Sequence, residues 1–139
     1  MSIRVKVTSH TRGLRELREA IDRNADRIVR KTAFDLQGEA MQRAPVDTGF
    51  LKNSIYVRTE STSGYAGASE KAGEQNADGQ MLPEVPQPGE HTAIVAVGAE
   101  YGVYVEMGTA RRAATPFLAP AAERVRPQFE KALKGLLGE

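Results

Sequence analysis

A chain of 139 residues with 19 Lys and Arg against 18 Asp and Glu has a net charge of +1, so no global field draws it to nucleic acid or a membrane surface. The absence of cysteine excludes disulfides, thiol catalysis and the commonest structural zinc sites, and the two histidines, His10 and His91, lack metal-ligand spacing and are expected as solvated loop residues. A single domain with a modest, Ala-rich core and no Trp follows, of a kind that gains stability by self-association.

The opening stretch alternates Ile3, Val5 and Val7 with Arg4 and Lys6, which predicts a short edge strand with one wet, basic face. No apolar run approaches a signal peptide or a transmembrane span, so no membrane partner is expected and the chain is read as synthesised in cytosol. From Gly13, a candidate N-cap, the residues Leu14, Leu17, Ile21, Ala25, Ile28, Ala33, Leu36 and Ala40 recur at spacings near three and four. They predict one long amphipathic helix to about Arg43, its outer face laced by pairs such as Glu19 with Arg23, Asp26 with Arg30 and Glu39 with Arg43. The interleaved acids weigh against reading its arginines as a nucleic-acid-binding face.

Pro45 ends the helix because the residue before a proline is pushed out of the α region. The stretch APVDTGFLKNSI follows, and its Asp47-Thr48-Gly49 matches the active-site tripeptide of aspartic proteases. Such an enzyme needs two carboxylates sharing a proton, and this chain has one such tripeptide, set between helical patterns and followed by the bulky Phe50. Asp47 is therefore read as a turn cap, with Gly49 as a flexible joint before a short turn through Phe50 and Leu51.

Residues Ile55 to Thr59 and Ala93 to Gly98 read as strands. Residues 60–90 between them carry six acids against Lys71 alone and almost no large apolar side chain. This predicts a hairpin whose tip is expanded into a mobile acidic arm unable to bury a core, either a tolerated insertion or a segment that orders on assembly. Tyr101, Tyr104 and Val105 have helical spacing and Gly108 is a candidate C-cap. A C-terminal helix starts after Thr115-Pro116 and runs through Leu118, Ala121, Val125, Phe129 and Leu133, with Pro120 in its first turn and Pro127 as a kink or break. No P-loop, dinucleotide fingerprint, zincin motif or recognisable Ser-His-acid spacing is present, so no enzyme and no cofactor is expected. The fold class is α+β, a long N-terminal helix and a C-terminal helix packed on a small, mainly antiparallel sheet, in one domain over 1–139.

Three stretches in order, APVDTGFLKNSI, YGVYVEMGT and ATPFLAPA, resemble the HK97 gp10-like family of tailed-bacteriophage proteins. The matching positions are Asp47, Thr48, Gly49, Leu51, Tyr104, Val105, Glu106, Gly108, Thr109, Pro116, Phe117, Leu118 and Pro120; the acidic insertion is the departure. The resemblance implies a structural virion protein at the head–tail junction, completing the tail as part of a homo-oligomeric ring. Its partners would be other phage neck and tail proteins, with non-specific proximity to DNA in the channel. A tail terminator or a head-closure protein is the alternative within the neck, and a nucleic-acid-binding module the alternative outside it. For Tyr101, Tyr104 and Phe117 core packing is weighed against interface. For Glu106, Arg111 and Arg112 a subunit contact is weighed against a solvated loop.

Overall fold

The computed structural model describes residues 1–7, 15–46 and 49–136. In chain order the elements are β1 (Ser2–Lys6), α1 (Arg15–Arg43), α2 (Phe50–Asn53), β2 (Ile55–Thr59), α3 (Tyr65–Gln75), β3 (Thr92–Val97), α4 (Gly102–Met107) and α5 (Leu118–Leu136). The three strands form an antiparallel sheet in the order β1-β3-β2, with Val5 opposite Ala93 and Val57 opposite Val95. β3 is central and buried at all six positions, which is why its sequence TAIVAV is nearly continuous in apolar residues.

One face of the sheet, with Val5, Ile55, Val57, Val95 and Val97, packs against Val29, Ala33, Leu36 and Ala40 of α1 and Leu118, Ala121 and Val125 of α5. The stripe of α1 differs in detail from the periodicity. Val29 is buried where Ile28 is half-buried, and Leu17 is 55% exposed. Full burial on this helix begins at Ala25, and its first turn is exposed among the described residues. The cap at Gly13 and the residue Leu14 lie outside the described residues. Of the expected ion pairs Glu39 with Arg43 forms, at 3.5 Å, whereas Glu19 turns back to Arg15 at 3.1 Å.

Pro127 does not break α5, which runs through it to Leu136. Its missing N–H removes one helical bond on an exposed face, where the Glu123 carbonyl is open to solvent. His91 is also not a solvated loop residue. Its side chain is 17% exposed and sits between two aspartates of α1, with Nδ1 2.6 Å from Asp26 Oδ1 and Nε2 3.5 Å from Asp22 Oδ1.

The largest departure is the connection between β2 and β3. The two strands do form an expanded hairpin, but its residues 60–91 are not structureless. They build a thin second layer on the other face of the sheet, where Tyr56, Ile94 and Ala96 pack with Ala68 of α3, Tyr65 and Val85. Composition misled here because covering a face needs few large side chains: α3 buries Ala68 in this layer and Ala72, one helical turn on, in the main core, each with only a methyl group. The Tyr65 ring meets Tyr56 edge-on at 5.2 Å and 74°.

Polar latches hold the layer down. Val85 N–H donates to the Tyr56 hydroxyl at 3.0 Å, and the Tyr65 hydroxyl donates to the Leu82 carbonyl at 2.7 Å. Burial pushes the Tyr56 phenol above its ordinary pKa. The Glu84 carboxylate accepts from Ser63 and pairs with Arg58; the Ser63 hydrogen bond, then Arg58, hold it below the usual carboxylate range against a desolvation that opposes them.

A lowered folded-state pKa means that the Glu84 contribution is complete above the ordinary carboxylate range and is lost as pH falls through the folded value. Amide hydrogen exchange at Val85 should therefore accelerate, relative to the amides of α1, as pH is lowered through the carboxylate range. In Glu84→Gln this added pH dependence should be absent, with exchange already fast at neutral pH.

Candidate functional site

The three sequence stretches converge at one end of the sheet, around the junction from β3 into α4. Asp47 and Thr48 lie outside the described residues. Gly49 is buried with φ +81°, a left-handed conformation that a side chain rarely adopts, and a Cβ there would approach the Gln75 side chain at 2.9 Å. Its carbonyl accepts from the backbone N–H of Asn53 at 3.1 Å and from Asn53 Nδ2 at 2.7 Å, closing the short turn of α2. Phe50 and Leu51 are core residues, 1% and 2% exposed. Ser54, fully buried, ties this turn to β3: Oγ donates to the Leu51 carbonyl at 2.7 Å and accepts from Ala99 N–H at 3.0 Å. Sequence reasoning missed Ser54, because a small polar residue before a strand gives no signal of burial.

α4 inverts the usual amphipathic arrangement. Its buried face is Gly102, Val105 and Glu106, and its outer face carries Tyr101, Val103, Tyr104 and Met107, 38%, 40%, 58% and 74% exposed. Gly102 allows close approach, since a Cβ would meet Val97 Cγ1 at 2.6 Å. Core packing is therefore wrong for Tyr104 and mostly so for Tyr101, whose ring reaches Phe50 at 6.2 Å from an exposed position. It holds for Phe117, which is 0% exposed.

Glu106 is not a solvated loop residue. It is 7% exposed, and its carboxylate accepts from three backbone N–H groups: Phe117 at 2.9 Å and Leu118 at 2.8 Å on Oε1, and Ala119 at 3.1 Å on Oε2. These are the donors that an α-helix starting at Leu118 leaves unpaired, and the next residue, Pro120, has none to offer. The acid also opposes the positive end of the α5 dipole. No signal within either element alone indicates this, because the cap comes from eleven to thirteen residues upstream rather than from the helix's own first turn.

Between the two helices, Gly108 turns the chain at φ +79°, with Ala114 N 2.7 Å from where a Cβ would stand. Thr109 Oγ1 accepts from the N–H groups of Arg111 and Arg112 at 3.3 and 3.1 Å, and Thr109 N–H donates to the Arg112 carbonyl at 2.8 Å. This holds the exposed Arg111 and Arg112 in a tight loop beside the α4 face, with no ion pair to either among the described residues. Pro116, also exposed, leads into α5.

Among the described residues no group of three His, Asp or Glu could hold a metal ion. What this end of the molecule presents is a rigidly supported surface of aromatic, Met and Arg side chains, the classes enriched in the cores of protein interfaces. Such a surface suits contact with another protein. Residues 9–108 match the family described as "Bacteriophage HK97-gp10, putative tail-component", and the chain belongs to this HK97 gp10-like family. The match ends at Gly108 and so includes the first stretch and the second up to its last residue, Thr109, but not ATPFLAPA. No curated protein and no solved structure matches the chain.

Glu106→Ala should cost on the order of 3 kcal/mol, because it leaves backbone donors buried without a partner. Glu106→Gln should cost about half as much, since its carbonyl oxygen still accepts. Thermal or urea unfolding of both variants checks the order; an alanine variant as stable as the parent would contradict the cap.

Proposed function

We propose that this phage protein is a structural subunit of the neck, completing the tail at the head–tail junction as part of an oligomeric ring. The observation that carries the reading is the outward apolar face of α4. Large apolar side chains exposed on a helix whose Glu is turned inward are in place to be covered by another protein. Their support is stiff: α4 is bound below to β3 through Gly102 and ahead to α5 through Glu106, so docking would order little new backbone. Arg111 and Arg112 stand at the rim, where guanidinium groups steer and orient a partner. A location in the virion, assembled in the bacterial cytoplasm, follows from the tail role.

The tail-terminator and head-closure roles would use the same surface and differ in the particle that accumulates without the protein. The nucleic-acid reading has less support. Arg15, Lys31 and Arg43 of α1 are each matched by an acid one turn away, which removes them as free phosphate ligands.

The test is complementation of a phage lacking the gene with Tyr104→Glu/Met107→Glu. Both sites are exposed, so the variant's stability should stay within about 0.5 kcal/mol of the parent. Separate filled heads and tails of normal length are the expected products. Overlong tails would point to the terminator role and emptied heads to head closure, whereas full infectivity would remove the α4 face as an assembly surface.

A further inference from the structure

The two outer edges of the sheet are treated differently. Along β2 the chain folds back on itself: Thr59 N–H donates to the Thr62 carbonyl at 2.8 Å, Gly64 N–H to the Val57 carbonyl at 2.9 Å, and Gln37 Nε2 to the Ile55 carbonyl at 3.1 Å. Every outward-pointing residue of that strand is thereby engaged.

The edge of β1 is bare. The bonds Val97 N–H to Met1 O and Val7 N–H to His91 O show that odd-numbered residues of β1 face β3. The alternation of an antiparallel ladder then turns the N–H and C=O groups of Ser2, Arg4 and Lys6 outward, and no strand pairs with them among the described residues. Beside this edge a groove of about 370 Å³ runs between β1, α1 and α5, floored by Ile3, Val5, Leu36, Val125 and Phe129. Arg126 and Glu123 border it, and Arg4 and Lys6, which alternate with Ile3 and Val5 along β1, put their side chains on the opposite face of the same strand.

We propose that the outer edge of β1 is a docking strand for an extended acidic segment of another protein chain, which adds to the sheet as a fourth strand. Alternate side chains of the incoming segment fill the groove, and the acidic side chains between them lie on the opposite face beside Arg4 and Lys6. A second copy of this chain does not fit the edge. Pairing β1 with itself antiparallel places Arg4 and Lys6 of both copies about 5 Å apart across the strands, and basic side chains on an edge resist such self-pairing. The inference does not depend on where in the neck the protein sits.

The two probes are a capped peptide of alternating Val and Glu and its Val and Lys counterpart, each titrated into the whole protein and followed by amide NMR and hydrogen exchange. The Glu peptide should bind at least about tenfold tighter than the Lys peptide, slow exchange at Arg4 and Lys6, and shift resonances of the groove. Arg4→Pro removes an outward N–H without touching the ladder to β3, so it should keep the native spectrum and abolish binding. Arg4→Glu/Lys6→Glu, which does not rely on the strand tolerating proline, should reverse the preference toward the Lys peptide. Equal binding of the two peptides, binding by neither at low-millimolar concentration, shifts centred away from β1, or an unchanged preference in the charge-reversed variant would each overturn the proposal.

Discussion

The carboxylate of Glu106 is the interaction on which the functional end of this molecule depends. One side chain collects the three free N–H groups at the start of α5, and in doing so fixes where the C-terminal helix begins relative to α4. Loss of that contact would release α5 from α4, and α5 supplies Leu118, Ala121 and Val125 to the core against α1. Turning Glu106 inward also sets the phase of α4. With Val105 and Glu106 below, Tyr104 and Met107 have only solvent to face. The buried acid and the exposed apolar face are thus one arrangement, a helix whose polar contact is made inside the fold and whose apolar side chains face outward.

The same economy of side chains appears in the sheet. A three-stranded sheet offers little area, and both faces are used: two helices cover one, and a layer built on Tyr56, Tyr65, Ala68 and Val85 covers the other. That second layer is thin and held largely by polar contacts, Glu84 with Ser63 and Arg58 and the two tyrosine hydroxyls with backbone groups. Arg58 Nε is buried without a partner among the described residues, so the latch satisfies only part of the guanidinium. Sealing the β2 edge with the chain's own turn, while β1 keeps only basic side chains for protection, divides the protein into a closed flank and an open one.

Much of the fold was legible in the sequence. Periodicity gave the long helix, alternation gave β1 as an edge strand, and Gly108 marked the end of α4, because each depends on spacing or backbone freedom within a few residues. The ordered triplet of stretches led to the family before any coordinates did. The acidic connection was misread for a physical reason: composition measures how much apolar area a segment can bury, whereas Ala68 needed only to lie against a face already made by β2 and β3.

What tertiary structure alone decided was the direction each side chain of the candidate site takes. Tyr101, Tyr104, Glu106 and Phe117 are close in sequence, the aromatic residues read as core or interface and Glu106 as subunit contact or solvated loop, yet the acid lies inside with Phe117 and the two tyrosines lie outside. The spacing of α4 fixes which residues lie together on a face and is silent on which face is inward. That choice rests on the three N–H groups of a helix eleven to thirteen residues further on, a demand for hydrogen bonds that exists only once α5 has formed and packed.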